Sequence, residues 1–348
     1  MLPVSIIIPH YNNPRILGPC LESLDSLSPN SPEHEIIVVD DASTDASVSW
    51  IQKEHPSIRV VQRGENGGFV KAVNAGVAST EGSILVFLNN DTWVDRDWLR
   101  HLVRPILTGQ LSGACGSVLT DWEGKRALFL GGTPNLLGFG FEEQGDIPDP
   151  SAPNIPIFAA CGGAMAISRD LYQEAGGFDE SFGMLYEDLD LCWRLNIFGY
   201  DCHLIPSSRV GHKTHASLGR GGFSKNAKYY IGNSLRTLFK NADDMDIAKR
   251  LDLALNLARA REKACLLDSS GSPSIVDDLI QGEGWISDLA IARSDIKAAQ
   301  KRTSKEIFER FVPAPTRPWF YDEDQKRLLE QAGYWDLEQE LYRASGYA

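Results

Sequence analysis

Acids, amides and a histidine sit in this chain where apolar runs stop. Glu35-Ile-Ile-Val-Val-Asp40-Asp41 ends on two carboxylates, followed by Ala42-Ser-Thr-Asp45. Ile84-Leu-Val-Phe-Leu88 runs into Asn89-Asn90-Asp91. A carboxylate such as Asp41 can accept a hydrogen bond from the imide N–H of uracil or thymine. Tyr11, in the turn Pro9-His-Tyr-Asn-Asn-Pro14, offers a ring for a base to stack on. One carboxylate with two amide neighbours, as in Asn89-Asn90-Asp91, suits a hard divalent cation. Its other ligands would be phosphate oxygens, water and one more side chain. Leu185-Tyr-Glu187-Asp188 follows a Gly-rich loop, Gly176 to Gly183, that can hold Asp188 open to a cleft as a general base. His212, in Val210-Gly-His-Lys-Thr-His215, lies 24 residues after Asp188. One helix and one strand fit in that interval, which returns His212 to the same sheet edge as a metal ligand.

Each feature also has a plainer reading. Asp40 and Asp41 could cap the next helix, and Asn89-Asn90-Asp91 could be an Asx turn. Acids in a first helical turn interact well with the helix dipole. Asp190 and Arg194, at i,i+4 spacing, read as structural. Asn66-Gly67-Gly68 opens a helix, and glycines there allow close approach to an anion, with Lys71 as a phosphate partner.

The elements that must carry these residues alternate through the first half. Strands are expected at 4–8, 35–39, 58–61, 84–88 and 114–118, and helices at 15–27, 46–54, 68–78 and 95–107. A continuous apolar run suits a strand buried on both faces of a parallel sheet. Ligands of open α/β sheets bind outside the carboxyl ends of such strands. The rhythm lapses over 119–156, a Gly-, Pro- and Asp-rich stretch whose length points to function or disorder. It resumes with a strand at 158–168, a helix that follows Leu185-Tyr-Glu-Asp188 and runs to about Phe198, and a strand at 200–205. From about Ser224 the chain reads as helical, with Ile247, Leu251, Leu255 and Ala258 on one stripe. Ser270-Gly-Ser-Pro273 breaks it, 312–318 reads as a stiff connector, and short helices close the chain near 322–331 and 335–343. A boundary near residue 240 divides residues 1–240 from 241–348.

Composition narrows the classes. The net charge is −13 with no dense Lys/Arg tract, against a nucleic-acid surface. Six dispersed cysteines without a C-x-x-C pair read as reduced thiols of a cytoplasmic protein. No leader peptide and no membrane-spanning run is legible, and peripheral membrane contact stays open. The G-x-G-x-x-G of a dinucleotide-binding unit is absent after the first strand, which demotes nicotinamide and flavin enzymes.

Taken together, the motifs resemble the inverting family 2 glycosyltransferases of GT-A fold, over roughly residues 3–240. Ile6-Ile-Ile-Pro-His-Tyr-Asn12 is similar to that family's first strand and turn, and Val38-Val-Asp-Asp-Ala-Ser-Thr-Asp45 to its nucleotide-base motif. Leu88-Asn-Asn-Asp91 sits where the family carries Asp-x-Asp. Gly162-Gly-Ala164, Gly176-Gly-Phe-Asp179, Glu187-Asp188 and Val210-Gly-His212 resemble its acceptor-side, base and late metal-ligand motifs. The resemblance implies an α/β fold: a Rossmann-like, mostly parallel sheet flanked by helices, with a C-terminal helical extension. It implies Pro9, Tyr11, Asp41, Asn66 and Asn90 on the donor side, and Gly163 and Glu187 on the acceptor side. Asp91 and His212 would hold Mn²⁺ or Mg²⁺, with Asp188 as the base. The implied reaction moves a sugar from a UDP- or dTDP-linked donor to a glycan or lipid-linked hydroxyl, in bacterial surface polysaccharide synthesis. A cytoplasmic site at the inner membrane face and a homodimer are compatible with it. Asn89 departs from the family's first acid, and the Asn-Asn-Asp form is similar to members that transfer rhamnose. Two rivals remain. Nucleotidylyl transfer would need a Gly-rich first loop with Arg and Lys. A degenerate scaffold working through its helical tail has only Asn89 in its favour.

Overall fold

The computed structural model describes residues 3–213, 222–244, 247–265, 274–281 and 285–311, with Glu330 and Asp336. His215, the break at 270–273, the 312–318 connector and the helices expected near 322–331 and 335–343 lie outside the described residues, the last two but for single residues. The chain forms two compact units. The first takes residues 1–132, 142–195 and 200–217; the second takes 133–141, 196–199 and 218–348.

The first unit opens with β1 (Val4–His10), α1 (Pro14–Asp25), β2 (His34–Asp40), α2 (Ser47–Glu54), β3 (Arg59–Gln62), α3 (Gly68–Ala78) and β4 (Ile84–Leu88). A short β5 (Thr92–Val94) precedes α4 (Trp98–Leu107) and β6 (Cys115–Thr120). The stretch read as irregular holds four short strands: β7 (Ala127–Phe129), β8 (Gly132–Pro134), β9 (Gly140–Glu142) and β10 (Ile155–Ile157). Then come β11 (Ala164–Ser168), α5 (Arg169–Glu174), α6 (Glu187–Ile197) and β12 (Cys202–His212).

The main sheet runs β10-β12-β6-β11-β4-β1-β2-β3, with β5 on β12 and β7 on β6, while β8 and β9 form a separate pair. It is parallel from β3 to β4. Beyond that it is mixed: β11 runs antiparallel between β4 and β6, and β12 runs parallel to β6. Hence β1, β2, β4, β6 and β12 all end at one edge, and the start of β11 lies at that same edge. The apolar runs behave as buried strands require. Ile6, Ile7 and Ile8 of β1, Val38 of β2 and Val86 of β4 are fully buried. Helix α1 turns Leu17, Leu21 and Leu24 inward at helical spacing, and α4 does so with Trp98, Leu99, Leu102 and Val103.

The second unit gathers α7 (Gly222–Asn241), α8 (Ile247–Cys265), α9 (Ile275–Gln281), α10 (Trp285–Ala298) and α11 (Ser304–Phe311). Helix α7 packs on α8, α9 and α10, so the unit begins before residue 240. Two earlier segments complete it. The Arg250 Nε–H donates to the Leu136 carbonyl at 2.8 Å. Gly138, at φ 79°, lies where a Cβ would stand 2.6 Å from the Ser234 carbonyl, so only glycine fits. The Lys301 and Arg302 amides both donate to the Ile197 carbonyl, at 2.9 and 3.0 Å. No helix among the described residues is long and apolar enough to cross a membrane.

Candidate active site at the carboxyl edge of the sheet

Because β1 and β2 pair in register from Val4↔His34 to His10↔Asp40, their turns emerge side by side. Asp41 is buried. Its Oδ2 accepts the Gly68 N–H at 2.8 Å, and the Gly67 N–H is shared between both oxygens at 3.1 Å. The Arg63 guanidinium pairs with Oδ1. The anion at the start of α3 is therefore Asp41 itself, and the glycines expected to admit an external anion receive this carboxylate. A carboxylate has about four lone-pair sites. Three protein donors occupy Asp41, which leaves capacity for one further N–H. Asn66 Nδ2–H donates to the Asp41 carbonyl at 3.2 Å, and Ala42 follows at a positive φ of 62°. Tyr11 is 49% exposed, with its ring open to stacking. It sits beside Asn12 and Asn13, both at positive φ. Pro9 pairs with Val39 inside the sheet.

At the end of β4, the Asn89 N–H donates to the Gly163 carbonyl at 2.9 Å. A Cβ on Gly163 would stand 2.6 Å from Asn89 Nδ2, so any side chain there would displace the Asn89 amide. Asn90 Nδ2 lies 2.9 Å from His10 Nδ1. Asp91 is 3% exposed and its Oδ1 is 3.2 Å from His212 Nε2. Strand β12 delivers this histidine: His212 pairs with Thr92 across β5, and the Lys213 N–H donates to the Asp91 carbonyl at 2.9 Å. Gly211 makes the approach possible, since a Cβ there would meet the Trp93 indole at 2.0 Å. Among the described residues no three His, Cys, Asp or Glu side chains converge as a cation site. The Asp91–His212 pair nevertheless fits two positions of a divalent ion that takes its remaining oxygens from ligand and water. One oxygen and one imidazole nitrogen suit Mn²⁺ better than Mg²⁺.

Asp188 opens α6 at the start of β11. Its Oδ2 accepts the Gly162 N–H at 2.8 Å and its Oδ1 the Leu189 N–H at 2.8 Å. Burial raises its carboxyl above the ordinary range, and these N–H groups only partly offset that. Burial raises Glu187 further, helped by Asp188 and Asp190. Glu187 is 6% exposed and its Oε2 has no partner among the described residues. Leu185 and Tyr186, just before them, both hold positive φ, at 64° and 72°. Such strain in consecutive bulky residues is concentrated at functional sites. Arg194 braces the approach. It pairs with Asp190 at 2.7 Å, both buried, and donates to the Ala175 and Gly177 carbonyls.

The fold thus joins Asp91 with His212, Asp41 with Asn66, and Asp188 with the Gly162-Gly163 turn, all along one edge. Three participants escape sequence reading. Arg63 looks like any surface cation but neutralises Asp41. His10 looks like part of a turn but is buried. Glu142, in the irregular stretch, feels both Asp188 and His212. Solvent touches its side chain, yet surrounding protein desolvates it enough to push its carboxyl up to about 7, with Asp188 adding to the rise and His212 opposing it.

Residues 5–176 match the model described as Glycosyl transferase family 2. The chain is 29% identical over 255 residues to polypeptide N-acetylgalactosaminyltransferase 14 of Homo sapiens, covering 68% of this chain and 45% of that protein. It therefore spans less than half the length of that relative. Among solved structures it is similar to GalNAc-T7 with UDP, GalNAc and Mn²⁺, at a TM-score of 0.62 and 18% identity, covering 92% of this chain and 59% of that one. It also resembles the mannosyltransferase PcManGT of Pyrobaculum calidifontis in complex with GDP-Man and Mn²⁺, at a TM-score of 0.51 and 18% identity, covering 86% of each. Both are likenesses of fold, and the fold is GT-A.

Proposed function

Through residues 5–176 this chain belongs to glycosyl transferase family 2, and from that premise we propose that it is a metal-dependent inverting glycosyltransferase. Its donor is a UDP- or dTDP-linked sugar, and its acceptor is a hydroxyl of a glycan or a lipid-linked glycan. The observation that carries the reading is the 3.2 Å approach of His212 to Asp91, residues 121 positions apart (212 − 91). A packed fold has little structural use for a buried carboxylate facing an imidazole at a sheet edge where ligands bind.

Asp41 accepts the imide N–H of the base with its remaining lone pair, and Tyr11 stacks on the ring beside Pro9. Asn66 holds the Asp41 backbone, and Asn90 faces the nucleoside. Asp91 and His212 would hold a divalent cation, Mn²⁺ by preference, which would offset the charge of the leaving diphosphate. Asp188 takes the proton of the acceptor hydroxyl as that oxygen bonds to the anomeric carbon. The carbon's bond to the diphosphate oxygen breaks on the opposite face. A raised carboxyl suits a base working near neutrality. Gly163 and Glu187 line the acceptor side.

We place the reaction in the cytoplasm at the inner membrane face, in the assembly of bacterial surface polysaccharide. The similarity of Asn89-Asn90-Asp91 to rhamnose-transferring members supports that setting. The test is nucleoside diphosphate release from a panel of UDP-, dTDP- and GDP-sugars with Mn²⁺. Release from one donor, abolished by Asp188→Asn while calorimetric UDP binding survives, supports the reading. Wild-type turnover in that variant overturns the base assignment. Nucleotide binding without release from any sugar favours the scaffold reading that Asn89 suggests.

A further inference from the structure

The proposed chemistry leaves unused a histidine at the centre of the site's framework. His10 ends β1, the strand between β2 and β4, and is 2% exposed. Its Nε2 lies 3.0 Å from Ser47 Oγ and its Nδ1 2.9 Å from Asn90 Nδ2. Ser47 Oγ lies 2.5 Å from Asp45 Oδ1, which also accepts the Ser47 N–H at 2.9 Å. The other Asp45 oxygen accepts the Asn13 N–H at 2.6 Å. One row of hydrogen bonds therefore ties together the turns after β1, β2 and β4.

The carboxylate end sets the direction of the row. Desolvation opposes ionisation of Asp45, but the bonds from Ser47 and Asn13 together outweigh it and hold the carboxyl below the usual carboxylate range. An ionised carboxylate only accepts, so the Ser47 hydroxyl donates to Asp45 and presents a lone pair to His10. Nε2 must then carry the imidazole proton, and Nδ1 is bare. Burial keeps the ring neutral against the opposing pull of Asp40 and Asp45. A bare Nδ1 requires a donor, so Asn90 must turn its NH₂ to His10. Its carbonyl oxygen, which has no partner among the described residues, is left for a ligand.

We propose that His10 is a positioning residue: locked in its Nε2–H tautomer by Ser47 and Asp45, it holds the Asn90 amide with the carbonyl as the ligand-facing acceptor. The ligand class is a hydroxyl donor of the nucleotide-sugar, and this half rests on the function proposed above. An acceptor there favours a sugar hydroxyl and disfavours a phosphate oxygen.

The tautomer is read without any ligand, by imidazole ¹⁵N NMR, with His10 assigned by its absence in His10→Gln. A protonated Nε2 and bare Nδ1 are expected. Asp45→Asn lets residue 45 donate to Ser47 and should move population to the Nδ1–H form. A bare Nε2 in the wild type, or a tautomer indifferent to Asp45→Asn, overturns the lock. Calorimetry with UDP and Mn²⁺ reads the consequence. His10→Gln keeps a donor towards Ser47 but loses the acceptor for Asn90, and should weaken UDP roughly three- to tenfold, one hydrogen bond's worth. His10→Asn restores a carbonyl near the Nδ1 position and should return to within about twofold. Equal weakening by both variants at wild-type melting temperature overturns the positioning role. A wild type with the expected tautomer that binds no UDP overturns the donor reading and leaves the lock standing.

Discussion

Asp188 and Glu187 are adjacent carboxyls that the fold asks to do different things. Asp188 keeps partial solvent access and two N–H donors; Glu187 is buried, and one of its oxygens has no partner among the described residues. Asp188→Asn should lower turnover by about 10²–10⁴ and leave UDP affinity nearly unchanged, measured by product release and calorimetry on one preparation. The wild-type rate should rise with pH through a midpoint above the ordinary carboxylate range, because burial raises Asp188. Glu187 gives a separate stability prediction. Its folded value is raised, so the native state holds a proton that the unfolded chain has lost. The contribution is full below the unfolded value and declines as pH rises through the folded one. Glu187→Gln cannot ionise, so it should melt above the wild type at pH 8 and alongside it at pH 4. A wild-type melting temperature flat across that window would contradict this. On the donor side, Arg63→Ala leaves Asp41 buried without its counter-charge and should cost about 3 kcal/mol in denaturant unfolding. None of these partnerships is legible in the sequence, because Arg63 and Glu142 gain their meaning from tertiary neighbours and His10 from burial.

At the scale of elements, the parallel half of the sheet was readable because burial on both faces writes itself as a continuous apolar run. Val4–His10, His34–Asp40 and Ile84–Leu88 fall within two residues of expectation. Strands of three residues, such as β5 and β7, carry no periodicity to read. As read from the sequence, strand β12 ends at Ile205, just before Pro206-Ser207-Ser208. It continues through a register shift between Ile205 and Arg209, the irregular site that proline tolerates in a sheet. That bulge lets one strand reach from the sheet's middle to His212. The last step depends on Gly211. Gly211→Ala would drive a methyl into the Trp93 indole, and should cost roughly 1–3 kcal/mol while displacing His212. Mn²⁺ affinity, followed by calorimetry or paramagnetic relaxation, should fall by more than stability alone explains.

For the whole molecule, a net charge of −13 sets a long-range condition on an anionic donor. The start of α3, where phosphate could have docked, is already filled by Asp41. Donor binding should therefore depend on the divalent ion, and EDTA should weaken UDP binding at least tenfold. The two units have a different relation to sequence. The helical character of the second was legible from its apolar stripe. Its recruitment of 133–141 and 196–199 was not, because no local pattern marks a segment that packs on residues a hundred positions later. A fragment of 218–348 lacks the Leu136 and Ile197 carbonyls that Arg250, Lys301 and Arg302 bind. It should show no cooperative melting by circular dichroism. The same interleaving imposes a timetable on the ribosome. Residues 133–141 emerge long before Ser234, Leu238 and Arg250, and Ile197 waits for Lys301. The helical unit must then be a late product of synthesis, and its early segments wait for their partners until Lys301 and Arg302 have been made.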